Sequence, residues 1–238
     1  MISPIKINGK PVFIPSDWSE LTFGQFLSIQ KSQTDAEILS AVSGIELETC
    51  EQLQPELISI LLSPLLLFVN EEVPGVETNP LNVPLKIGKM EYARKINCDA
   101  ASKKYTGIEL IGKFVSIYCC EGIKDEQISA FEKEVNSHLF INVYSAGKVI
   151  IEQLNKLNES EKKIPQPQYR SEEIQAGVNE FKKFGVAGLV RSIALRWGVS
   201  KETIYNWSYN EVLIELKISA EESRYQRKLN EILSKPKK

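Results

Sequence analysis

The chain has 238 residues, of which 42% are hydrophobic and 25% charged, ordinary globular usage that excludes a disordered polymer. Lys and Arg number 29 against 31 Asp and Glu, a formal net charge of -2, so no global basic field draws in nucleic acid or an anionic membrane. The start lacks the charged-then-apolar layout of a secretory signal. The longest apolar stretch, Leu57 to Val69, is too short and too interrupted to span a bilayer, so a soluble, cytoplasmic protein is expected.

In chain order, Ile5 and Ile7 precede Asn8-Gly9, and Val12 and Ile14 follow, the pattern of a small β-hairpin with a tight turn. Three Ser/Thr-x-x-Glu/Gln capping boxes come next, Thr22/Gln25, Thr34/Glu37 and Thr49/Gln52, and they predict helices through residues 18–70. Pro64 is expected to break the Leu57–Val69 stretch into a pair of core helices. Residues 71–106 read as a proline-punctuated loop, with a short strand and turn over Val83–Met90 that would form a second small hairpin, at an edge position because of its prolines. Helical spacing returns at 108–120, 125–136 and 139–158. Leu139 to Ile151 is apolar nearly all round and is a candidate for the centre of the bundle.

Asn158 to Arg170, charged and marked by Pro165 and Pro167, reads as a hinge. Helices are predicted beyond it at 171–184, 186–197 and 209–233. The last is capped by Ser208 with Glu211, and Lys235, Lys237 and Lys238 complement its dipole. No repeat of fixed period is evident. The expected fold is mainly α: a helical bundle with one or two small β-hairpins (1–157), a linker (158–170) and a C-terminal three-helix module (171–238).

Catalytic machinery is not recognisable, and neither an enzyme nor a cofactor is expected. His138 is the only histidine and has no second metal ligand at useful spacing. Gly185 and Gly188 lack the lysine and preceding strand of a phosphate loop, and read as a helix boundary followed by close packing. The pairs Glu71-Glu72, Glu172-Glu173 and Glu221-Glu222 read as solvated faces or caps. Cys50, Cys98, Cys119 and Cys120 form no CxxC pair and are expected to be reduced.

The sharpest local motif runs from Arg191 to Trp207 and looks like a helix-turn-helix. Ala194 is small where two helices would touch, Gly198 suits the turn, and Val199 and Ile204 would fill the angle between them. Ser200 to Trp207 would be the recognition helix. Arg191, Arg196, Lys201, Tyr205 and Asn206 are the candidate contacts to a partner or to DNA. The objection is charge, because Glu202 shares the exposed face and phosphate-binding residues are sparse. Trp18, Trp197, Tyr205 and Trp207 are candidate contact aromatics, although core packing is the better expectation for Trp197 and Trp207.

Three stretches, PSDWSELTFGQFLSIQ with DAEILSAVSGIELE, LIGKFVSIYCCEGI, and FGVAGLVRSIALRWGVSKETIYNWSYNEVLIELKISAEESRYQRKL, together resemble the tail assembly chaperones of tailed bacteriophages. The resemblance implies a helical, non-enzymatic accessory protein that binds the tape-measure protein or other tail components in the host cytoplasm. It carries over no catalytic residues, and the hairpins do not map onto the family pattern. A structural virion protein (connector or tail completion) and a helix-turn-helix DNA-binding protein using residues 189–207 are the alternatives. Homo-oligomerisation is left open.

Overall fold

The computed structural model describes residues 5–7, 9–75, 81–165 and 171–234. Strands β1 (Ile5–Ile7) and β2 (Lys10–Val12) pair antiparallel with Ile5 opposite Val12. Gly9 takes φ +77°, as a tight turn requires; its neighbour Asn8 lies outside the described residues. Twelve α-helices follow among the described residues: α1 (Phe23–Lys31), α2 (Asp35–Ser43), α3 (Leu47–Glu51), α4 (Pro55–Val69), α5 (Tyr92–Ala101), α6 (Gly107–Cys119), α7 (Asp125–Ser137), α8 (Phe140–Lys162), α9 (Ser171–Gln175), α10 (Gly185–Trp197), α11 (Lys201–Asn206) and α12 (Tyr209–Leu233). The fold is mainly α with one small hairpin.

The chain divides into two compact units, residues 1–84 with 101–150, and residues 85–100 with 151–238. The expected division at 158–170 differs from this in two ways. Helix α8 runs on through Asn158, Glu159 and Ser160 to Lys162, because that charged stretch is made of helix-tolerant residues and closes with a Glu159–Lys162 ion pair at 2.7 Å. Residues 85–100 join the C-terminal unit through backbone bonds from Tyr92 N–H to the Trp207 carbonyl (2.7 Å) and from Tyr209 N–H to the Met90 carbonyl (3.0 Å). The rest of the expected linker, 166–170, lies outside the described residues, as does the basic end Lys235–Lys238.

In the first unit, Trp18, Phe23 and Phe26 converge on Phe140, the first residue of α8, with the Trp18 and Phe26 rings centred 5.0 and 4.2 Å from it, and Phe68 stands edge-on to Trp18 at 5.2 Å. Trp18 is therefore a core residue and leaves the set of contact aromatics. Phe140, Val143, Ala146 and Ile150 give α8 a continuous buried stripe, as its apolar composition predicts, although Val149 faces solvent. The boxes at Thr22/Gln25 and Thr34/Glu37 both form. The one at Thr49/Gln52 does not: α3 begins earlier, at Leu47, and Thr49 lies inside it.

Pro64 does not break α4. Its ring fits helical φ, and the Ile60 carbonyl that loses its usual donor accepts instead from the Ser63 hydroxyl at 2.9 Å, on the solvent side.

The expected strand at Val83–Met90 is a 3-10 turn at Ile87–Lys89, so there is no second hairpin among the described residues. The Ile87 N–H donates to the Gln153 side chain at 2.9 Å rather than to a strand, and a Cβ on Gly88 would lie 2.6 Å from Asn210 Oδ1. Helix α5 was hidden from periodicity because its inward face carries charge. Arg94 and Lys95 are buried, and they bond Glu91 at 2.8 Å and Asp99 at 2.6 Å. The expected helix at 171–184 is likewise interrupted, since Gly177 at φ +87° ends α9 before a second 3-10 segment, Val178–Phe184.

Burial pushes the Glu91 carboxyl up, but the Arg94 guanidinium and a backbone hydrogen bond outweigh it and hold the group below the usual carboxylate range. That stabilisation is present at neutral pH and is lost as pH falls through the carboxylate range. Glu91→Gln should therefore lower the urea midpoint at pH 7, with the difference closing in acid. Phe140→Ala should cost roughly 3–5 kcal/mol in urea unfolding, since a buried aromatic at the centre of the cluster leaves a cavity that the neighbouring rings cannot refill.

Candidate partner-binding surface

The helix-turn-helix-like segment folds as its residues dictate. Helix α10 ends at Gly198 with φ +62°, a left-handed position that glycine takes without a Cβ penalty. Ser200 then caps α11, its Oγ accepting from the Thr203 N–H at 3.2 Å. Val190, Ile193 and Ala194 of α10 and Ile204 of α11 close on Tyr92, Tyr209 and Val212, with Tyr205 and Trp207 packed against the cluster. Val199, expected in the angle between the helices, is instead exposed. Burial and then the Glu161 carboxylate push the Tyr209 phenol far above its ordinary range, so it stays neutral as a core group.

The candidate contacts do not form one basic surface. Arg191 and Lys201 are exposed. Arg196 is committed within the unit, its guanidinium 2.8 Å from Glu222 and 3.7 Å from the buried Glu215. Tyr205 is half-buried against the core, and the Asn206 amide donates to the Glu202 carbonyl at 3.0 Å. Glu202, in the first turn of α11, is held below the usual carboxylate range by its backbone hydrogen bond and by Ser200. A carboxylate there opposes a phosphate approaching that helix end. Trp197 departs from its expected burial: it is 55% exposed, with its ring edge-on to Trp207 at 6.0 Å.

The more conspicuous surface lies in the first unit, on α4. Ile58, Leu61, Leu62, Leu65 and Phe68 fill its inward side. Its outward side is also apolar, with Ile60 67% and Leu67 75% exposed and Leu57 and Leu66 partly so. Ile60 and Leu67 are seven residues apart, two helical turns, with Ser63 and Pro64 between them, so they form one stripe. A helix apolar on both sides has the composition of one covered on both sides. The feature was present in the sequence as the Leu57–Val69 run, but the expected break at Pro64 concealed that the run is one helix with a surplus face.

Among the described residues no three His, Cys, Asp or Glu side chains lie together as a metal site, and no helix is long and apolar enough to cross a membrane. His138 ends α7, with Nε2 3.8 Å from Glu134. Cys50, Cys98 and Cys120 are buried and Cys119 half-buried, none of them in a disulfide. No family model matches the chain, and no curated protein or solved structure matches it.

If Arg196 serves the fold, Arg196→Ala should destabilise the chain by roughly 1–3 kcal/mol, the cost of leaving a buried polar partner unsatisfied, and adding Glu215→Gln should recover part of the loss in urea unfolding. No recovery would mean that Arg196 acts elsewhere.

Proposed function

We propose that this chain is a non-enzymatic assembly protein of the phage tail-chaperone kind, which binds the tape-measure protein or another tail component before assembly. The observation that carries the reading is the outward stripe of α4: Ile60 and Leu67 stand in solvent on a helix whose inward side is already filled. A chaperone's task is to cover apolar surface on another chain, and an apolar helix face does this without chemistry of its own. The resemblance of the Trp18, Leu110–Ile123 and Phe184–Leu229 stretches to tail assembly chaperones supplies the partner class.

Reading DNA through the helix-turn-helix is the weaker alternative. The geometry of α10 and α11 favours it, but Arg196 is turned to Glu215 and Glu222, and Glu202 occupies the helix start.

Co-expression with a long coiled-coil tail protein encoded nearby should yield a stoichiometric complex. Ile60→Asp with Leu67→Asp should abolish the complex while leaving the melting temperature unchanged, because both side chains are exposed. Recovery of free chain alone at micromolar concentration would contradict the proposal. A mobility shift at low salt that weakens steeply with added salt and with Arg191→Ala and Lys201→Ala would favour the DNA reading. Mass spectrometry of purified particles separates a chaperone, absent from them, from a permanent virion component.

A further inference from the structure

In the second unit, α8 ends before the helix it lies beside. Leu157 of α8 packs on the cluster around Tyr209 and Val212, and α8 then closes at Lys162, with the Ile164 N–H bonded to the Glu161 carbonyl at 2.9 Å. Helix α12 runs on to Leu233, although past Ala220 it has no fully buried residue. Between them is an open cleft of about 810 Å³. Its long wall is one face of α12, on which Leu216, Ala220, Arg224, Arg227 and Glu231 recur every three or four residues with Lys228 beside them. Its short wall is Glu161, Ile164 and Pro165. From Leu216 to Glu231 the face spans about 22 Å at about 1.5 Å per residue. A compact small molecule fills only part of such a trough, whereas another helix matches its length.

The chemistry of the trough is mixed. Ile164, Pro165, Leu216 and Ala220 give it apolar surface, and the small side chains of Ser219 and Ser223 keep the α12 wall low. Arg224, Arg227 and Lys228 make it cationic. Arg224 reaches only the exposed Glu221, at 3.8 Å, and Arg227 and Lys228 have no ion pair among the described residues. Of the carboxylates lining the cleft, Glu161 stands near the buried Tyr209 phenol, which burial and then this carboxylate hold neutral, and Glu231 lies at the far end of the α12 face. From Arg224 onward the sequence has six Lys and Arg against Glu231 alone, while the remainder has 23 against 30 Asp and Glu. A positive face on an otherwise acidic chain selects a negative partner. A nucleic-acid backbone would meet Glu161 and Glu231 as well as the cations, and would gain nothing from the apolar surface. A helix with carboxylates beside an apolar stripe satisfies both parts, because arginine bonds discrete carboxylates well and the apolar groove takes the stripe.

We infer that this cleft docks an acidic amphipathic helix of a partner protein, with its apolar residues on Ile164, Leu216 and Ala220 and its carboxylates on Arg224, Arg227 and Lys228. The site lies in the second unit and does not rest on the reading of α4.

Fluorescence anisotropy of the full chain with a labelled helical peptide, leucine along one face and glutamate flanking it, tests the inference. Binding should saturate in the micromolar range and weaken as salt rises. Arg227→Glu with Lys228→Glu should weaken it by roughly tenfold or more at unchanged melting temperature. Ser223→Trp, which fills the trough without altering a charge, should weaken it too. The same peptide with lysine for glutamate should not bind. No binding of the glutamate peptide at millimolar concentration, or equal binding of the lysine peptide, would overturn the inference. So would binding that ignores the cleft variants but is lost with Ile60→Asp and Leu67→Asp, which would place the peptide on α4. A DNA duplex that binds more tightly than the peptide, and is lost in the same cleft variants, would overturn it in favour of a nucleic acid.

Discussion

The interaction on which the rest of the structure depends is a two-residue backbone bridge that ties together the starts of two helices distant in the chain. Phe23 N–H donates to the His138 carbonyl at 2.8 Å, and Phe140 N–H donates to the Leu21 carbonyl at 2.7 Å. These are first-turn donors of α1 and α8, which no intrahelical carbonyl can satisfy. The bridge satisfies both and brings Phe23 and Phe140 into a stacked pair at 6.0 Å. The second unit repeats the device at the same separation along the chain: Tyr92 and Tyr209 exchange bonds with Trp207 and Met90, and their rings stack at 6.0 Å. In each unit a polar requirement of helix ends and the burial of an aromatic pair are met by the same few atoms.

Half of this device was legible in the sequence. Thr22 with Gln25 and Ser208 with Glu211 announce the helix starts, because a capping box is local and its residues are three apart. The pairing was not legible, since a strand of one or two residues has no period to read and its partner lies far away in the chain. Helix α5 was missed for a related reason. Arg94 and Lys95 occupy its buried side, where a periodicity argument expects apolar residues, and their ion pairs to Glu91 and Asp99 help make that burial tolerable.

The candidate surfaces divide the same way. The turn at Gly198 and the cap at Ser200 were readable one residue at a time. That Arg196 would be drawn to Glu215 and Glu222 was not, because the acids arrive from the next helix. The surplus apolar face of α4 was visible as composition but was misassigned through Pro64. A proline normally ends a helix, and here the Ser63 hydroxyl and solvent accommodate the Ile60 carbonyl it leaves behind. Once its core is filled, the first unit still presents apolar helix surface on α4, and the functional reading rests on that surface covering another chain.

Hydrogen exchange on the chain with and without the tail protein tests that reading most directly. Binding through α4 should slow exchange across residues 55–69 and leave α11 at its free rate. Unchanged exchange over α4, with protection confined to residues 191–207, would contradict it.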